Sequence, residues 1–112
     1  MRTLIIEDSR LARLELSTML KDHDHIQLIG EANNGEGGLN LINKLNPDLI
    51  FLDIQMPGKN GFELLEELDD IPIVIFTTAY DEYAVKSFEY NALDYLLKPI
   101  KPARLKMATV SL

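Results

Sequence analysis

Leu49-Ile50-Phe51-Leu52-Asp53, residues 49–53, is the stretch that decides the fold. Four large apolar side chains in a row, without polar alternation, describe a strand covered on both faces, and a carboxylate stands where that strand stops. Pro57-Gly58 follows as a turn signal. Runs of the same kind lie to either side: Leu4-Ile5-Ile6 and Ile26 to Ile29 before it, Ile73-Val74-Ile75-Phe76 after it. Tyr95-Leu96-Leu97 is a weaker fifth run, closed by Pro99. Between the runs the apolar period becomes helical, with Ala12, Leu16, Met19 and Leu20 on one face, then Leu39 and Ile42, Phe62 and Leu65, and finally Ala84, Val85 and Phe88. Ser9 and Asp81 read as N-caps, and Gly35 to Gly38 as a turn. Strand and helix thus alternate five times. Repeated βα units require right-handed crossovers, which gives an α/β fold with a mainly parallel, doubly wound sheet and helices on both faces.

The bulk properties fit one compact domain over residues 1–112. The chain has 46% hydrophobic and 26% charged residues, close to the globular average. It contains no Cys, which excludes disulfides, thiolate metal sites and Cys nucleophiles and agrees with a cytoplasmic setting. Glu7 and Asp8 interrupt the first apolar run, so no secretory or membrane-spanning segment is read. The net charge of −7 opposes phosphate neutralisation, and these residues alone are not expected to bind DNA.

In such sheets ligands bind beyond the carboxyl ends of the strands. There the first run ends in Glu7-Asp8, the third in Asp53, the fourth in Thr77-Thr78 and the fifth in Lys98-Pro99. Three carboxylates converging on one edge repel one another unless they share a cation, and hard oxygen donors suit Mg²⁺. Phosphoryl transfer asks for an in-line nucleophile and neutralisation of the equatorial oxygens. Asp53 supplies the nucleophilic carboxylate. Asp8 and Asp53, with Glu7 beside them and the backbone carbonyl of Gln55, supply metal ligands. Lys98 and Thr78 are placed to hold phosphoryl oxygens.

Taken singly, each residue has an ordinary structural account: a capped turn for Glu7-Asp8, a turn residue for Asp53, a solvated lysine for Lys98, strand-end threonines for Thr77 and Thr78. Only the joint placement carries the chemistry. His23 and His25 are spaced poorly for a metal and receive no role. Glu63, Glu66, Glu67, Asp69 and Asp70 read as the solvated side of a helix. No nucleotide-binding glycine fingerprint occurs.

The run FLDIQMPGKNG, residues 51–61, with the early acid pair, a Thr-Ala step and a late Lys-Pro, resembles the receiver domains of bacterial two-component response regulators along nearly the whole chain. The resemblance implies a flavodoxin-like (βα)5 fold with strand order 2-1-3-4-5. Asp53 is then the phosphoacceptor, Glu7 and Asp8 the acidic metal pair, and Lys98 the family's lysine, with a cis peptide at Pro99. The switch threonine is Thr77 counted from Pro72 or Thr78 counted back from Lys98, and Thr78, which precedes Ala79, is preferred. Tyr95 matches the aromatic residue that reorients on activation.

The stretch TAYDEYAVKSFEYNALDYLLKP, residues 78–99, is similar to receivers attached to LytTR-type DNA-binding domains. This implies a transcriptional regulator whose output domain lies beyond Leu112, a residue expected to fall inside the last helix, and which contacts DNA only through that domain. The expected partner is a sensor histidine kinase. A homodimer through helix 4, strand 5 and helix 5 is a further expectation, with Tyr83 and Tyr90 either on that face or simply packed. A stand-alone phosphorelay receiver with a protein target has the same chemistry. A small aspartyl-phosphate phosphatase is disfavoured, because neither an Asp-x-Asp pair after the first strand nor a cap is visible. The domain is not expected to be an enzyme beyond its own phosphorylation and dephosphorylation.

Overall fold

The computed structural model describes residues 1–112. Its elements are β1 (Arg2–Ile6), α1 (Arg10–Leu20), β2 (Gln27–Ala32), α2 (Gly35–Leu45), β3 (Leu49–Asp53), α3 (Gly61–Glu66), β4 (Ile73–Thr78), a 3₁₀ turn (Asp81–Tyr83), α4 (Ala84–Glu89), β5 (Asp94–Leu97) and α5 (Pro102–Thr109). The five strands form one sheet in the order β2-β1-β3-β4-β5, and every pair is parallel. This is the flavodoxin-like order expected from the sequence.

The unbroken apolar character of residues 49–52 is explained by position: β3 is central and buried along its whole length. Alternate residues serve two cores. Ile50 and Leu52 join Leu4, Ile6, Val74 and Phe76 under α2, α3 and α4. Leu49 and Phe51 join Ile5, Ile75 and Leu96 under α1 and α5, whose Leu16, Leu20, Leu105 and Ala108 close the other face. β2 departs from the expectation of a doubly covered strand. It is an edge strand, only half-buried, and begins at Gln27, after the buried Ile26.

Other local readings are corrected. Ser9 caps α1, accepting the N–H of Ala12 at 3.2 Å, but the fourth helical segment starts after Tyr80, and Asp81 does not cap it. Gly35 to Gly38 form the first turn of α2, capped by Asn34. Gly38 lies there for packing: a Cβ would stand 2.8 Å from the Ile6 side chain. On α4, Val85 and Phe88 face solvent, whereas Tyr83 and Tyr90 are half-buried and pack against Phe62. The last helix closes at Thr109, before the end of the described chain. Among the acidic residues of the third helical region, Glu63 completes a capping box with Asn60, and Asp69 and Asp70 lie beyond the helix. His25, given no role, meets the Thr109 carbonyl at 3.0 Å and ties the β2 approach to α5. No helix is long and apolar enough to cross a membrane.

Candidate phosphoryl and metal site

Parallel strands deliver their carboxyl ends to one edge, and there the side chains of Glu7, Asp8 and Asp53 meet. One carboxylate oxygen from each lies within 4.8 Å of the others. Asp53 and Glu7 are buried, while Asp8 is open to solvent. Lys98, at the end of β5, ion-pairs with Glu7 and sits 3.3 Å from Asp53 Oδ1. The Lys98–Pro99 peptide is cis, as the resemblance implied.

The electrostatics of the cluster are unequal. Burial pushes the Asp53 carboxyl up, hydrogen bonding with Glu7 and Asp8 and repulsion from Glu7 push it further, and Lys98 pulls it only partly back, leaving it at about 8. Asp8 moves the other way: desolvation opposes its charge, but hydrogen bonds with Asp53 and Glu7 and the pull of Lys98 hold it below the usual carboxylate range. Lys98 stays charged above the ordinary lysine value, because Glu7 and Asp53 outweigh its own desolvation. A buried carboxylate held partly protonated beside two others is a site short of positive charge. Oxygen donors alone, one of them solvent-facing, fit a hard divalent cation that keeps part of its water. Glu7, Asp8 and Asp53 could hold such a cation there.

The remaining expected residues are placed as follows. Gln55 follows β3 on the exposed loop, and its backbone carbonyl accepts no hydrogen bond within the chain. Its side-chain amide donates to the Tyr83 hydroxyl at 2.7 Å, a link from the β3–α3 loop to the 3₁₀ turn that no spacing in the sequence signals. Thr77 pairs in register with Asp53 and Thr78 with Leu97. The two threonines therefore point to opposite faces of the sheet. Thr78 shares the face of Phe76, whose register partner Tyr95 packs half-buried against the same core. Its hydroxyl accepts the N–H of Tyr80 at 3.0 Å and so is engaged with the β4–α4 turn. Glu7, Asp8, Asp53 and Lys98 are thus brought together directly, while Thr78 and Tyr95 form a second group on the α4 side.

Residues 3–110 match the response regulator receiver domain family. The chain belongs to that family. As a receiver domain it is 51% identical over 104 residues to an uncharacterized response regulatory protein of Vibrio parahaemolyticus, covering 91% of this chain and 43% of the relative. It is 47% identical over 107 residues to the transcriptional regulatory protein BtsR of Escherichia coli K12, covering 94% and 45%. Among solved structures, the response regulatory domain of protein mrkE from Klebsiella pneumoniae superposes with a TM-score of 0.90 at 34% identity, over 100% of this chain and 94% of that one. The receiver domain spans less than half the length of these curated relatives.

Proposed function

We propose that this receiver domain is a switch that accepts a phosphoryl group on Asp53 from a partner histidine kinase and so controls an attached DNA-binding output domain. The observation that carries the reading is the meeting of Glu7, Asp8, Asp53 and Lys98 at the carboxyl edge of the sheet. Mg²⁺, when bound, neutralises phosphoryl oxygens and favours the ionised form of Asp53. An Asp53 carboxylate oxygen attacks phosphorus in line as the bond to the donor's imidazole nitrogen breaks. Lys98 then pairs with a phosphoryl oxygen, and Thr78 exchanges Tyr80 for another. Tyr95, on the same face as Thr78, moves into the space so released.

The domain's chemistry is confined to its own Asp53. The likeness of residues 78–99 to receivers of LytTR-type regulators, and the greater length of the transcriptional regulatory relatives, support a LytTR-type output domain in the parent protein. The exposed Val85 and Phe88 on α4 and Leu97 on the edge strand β5 support a homodimer through α4, β5 and α5. Incubation with Mg²⁺ and a small acyl phosphate, followed by intact mass measurement, is expected to show one added phosphoryl group that Asp53→Ala abolishes. An unchanged wild-type mass, or a gain that survives in Asp53→Ala, rules the reading out.

A further inference from the structure

The acid pair sits on a turn with few internal supports. The N–H of Glu7 still pairs with the Ala32 carbonyl at 3.0 Å, continuing the ladder to β2 for one residue beyond β1. Its own carbonyl has no such partner, since no backbone N–H donates to it. What meets it is the guanidinium of Arg13, one turn into α1, with Nη1 2.8 Å from the Glu7 oxygen in a half-buried contact. The carboxylate of Glu7 is held separately, accepting the Ser9 N–H at 3.0 Å and pairing with Lys98. Arg13 thus grips the main chain that carries two of the three acids and leaves the acids themselves free. The cations that act on the acids are Lys98 and, when bound, the metal.

From this geometry we infer that Arg13 is a positioning residue for the metal site, fixing the β1–α1 turn so that Glu7 and Asp8 converge with Asp53 before any cation arrives. The inference rests on the Mg²⁺ reading above. A turn bearing adjacent carboxylates opposite a third acid is driven outward by repulsion whenever that acid ionises, and a charge-assisted hydrogen bond to its unpaired carbonyl resists that motion. Supporting partners outside the metal's own ligands commonly change metal affinity by about 10- to 100-fold when removed. Arg10 supplies an internal control, because it lines the same α1–β2 cleft with the same charge and makes no hydrogen bond to Glu7.

Calorimetric titration of the whole chain with MgCl₂ tests the inference, with metal-free thermal unfolding in EDTA measured beside it. Arg13→Met keeps the aliphatic stem and removes the donors, and is expected to weaken Mg²⁺ binding roughly 10-fold while leaving the metal-free midpoint nearly unchanged. Arg13→Lys, which retains a donor, is expected to recover most of the affinity, and Arg10→Ala to bind like wild type. Arg13→Leu, which also lacks a donor, carries the same expectation as Arg13→Met should the latter not fold. Wild-type affinity in Arg13→Met or Arg13→Leu overturns the inference alone. So does an equal loss in Arg10→Ala, which would make the effect one of charge, or a metal-free midpoint that falls in step with affinity, which would make it plain structural support. Absence of Mg²⁺ binding by the wild type overturns the metal reading and this inference with it.

Discussion

The proposed phosphoryl transfer needs Asp53 as a nucleophile, yet the folded protein without metal raises its carboxyl from 3.8 to about 8. A carboxyl whose folded value lies above its unfolded one binds more protons when folded throughout the interval between them. Metal-free stability therefore falls as pH rises from about 4 to about 8. Asp94 has the opposite sign. Its folded value is depressed, desolvation being outweighed by the Arg104 fork at 2.7 and 2.9 Å, so its contribution is present above the ordinary carboxylate value and is lost as pH falls through the depressed one. Lys98, raised above the ordinary lysine value, keeps its contribution throughout this window. In EDTA, the urea midpoint is expected to decline between about pH 5 and pH 8, and Asp53→Asn to flatten the decline. Because Mg²⁺ competes with the proton on Asp53, its affinity should rise over the same interval and level off above it. A midpoint that rises with pH in both proteins would contradict the assignment.

At the scale of elements, the loop from β3 to α3 holds Asp53 by backbone contact. The N–H of Gly61 bonds to the Ile54 carbonyl at 2.9 Å, and a Cβ on Gly61 would lie 2.6 Å from the Asp53 carbonyl oxygen. That obstacle is main chain of the central strand and cannot give way, so Gly61→Ala must push α3 off the end of β3. It is expected to lower both the unfolding midpoint and Mg²⁺ affinity. Asn60→Ala next to it removes only the acceptor of the Glu63 N–H. That should cost about 1 kcal/mol in denaturant unfolding without changing Mg²⁺ affinity. Equal effects of the two variants on metal binding would refute the distinction. The same region shows what a sequence makes legible. Doubly covered strands announce themselves by unbroken apolar runs, and parallel topology then sends Glu7, Asp8, Asp53 and Lys98 to one edge, so this part of the site could be read from strand ends. The placement of α2 and α4 could not. Gly38 is poor helix material that helix–strand contact with Ile6 requires, and α4, six residues long, is too short for its period to fix which face is inward. Phe62, far away in sequence, fixes it by stacking on Tyr90. The reaches of Arg13 to Glu7 and Gln55 to Tyr83 depend on long side chains crossing between elements, which spacing does not encode.

For the whole molecule, the proposed switch requires that chemistry at Asp53 change a surface several elements away. The α4 region is fastened to α3 and its loop by the Gln55–Tyr83 and Tyr90–Glu66 hydrogen bonds and by Lys86 lying 4.7 Å over the Phe62 ring. These contacts are exposed or flanked by solvent and individually weak, so the docked arrangement is one a modest free energy can shift. Turning a 1:99 equilibrium into its reverse takes about 5.5 kcal/mol of differential stabilisation. Hydrogen bonds to charged groups contribute about 1.5–3 kcal/mol each, so two or three new contacts from Lys98 and Thr78 to a phosphoryl group suffice. The surface proposed to receive the shift exposes Val85 at 74% and Phe88 at 63%, one helical turn apart on α4, next to the open edge of β5. Adding Mg²⁺ and a small acyl phosphate is therefore expected to move the protein from monomer to dimer in sedimentation velocity. Phe88→Glu should block that shift while accepting phosphoryl as wild type does, because Phe88 is exposed on α4 and is not part of the acidic cluster. Thr78→Val should also accept phosphoryl but dimerise poorly, because it lacks the hydroxyl proposed to transmit the change. A Thr78→Val protein that dimerises as readily as wild type would mean that the signal leaves Asp53 by another path. A wild-type protein that stays monomeric when phosphorylated would remove the α4–β5–α5 face as the readout.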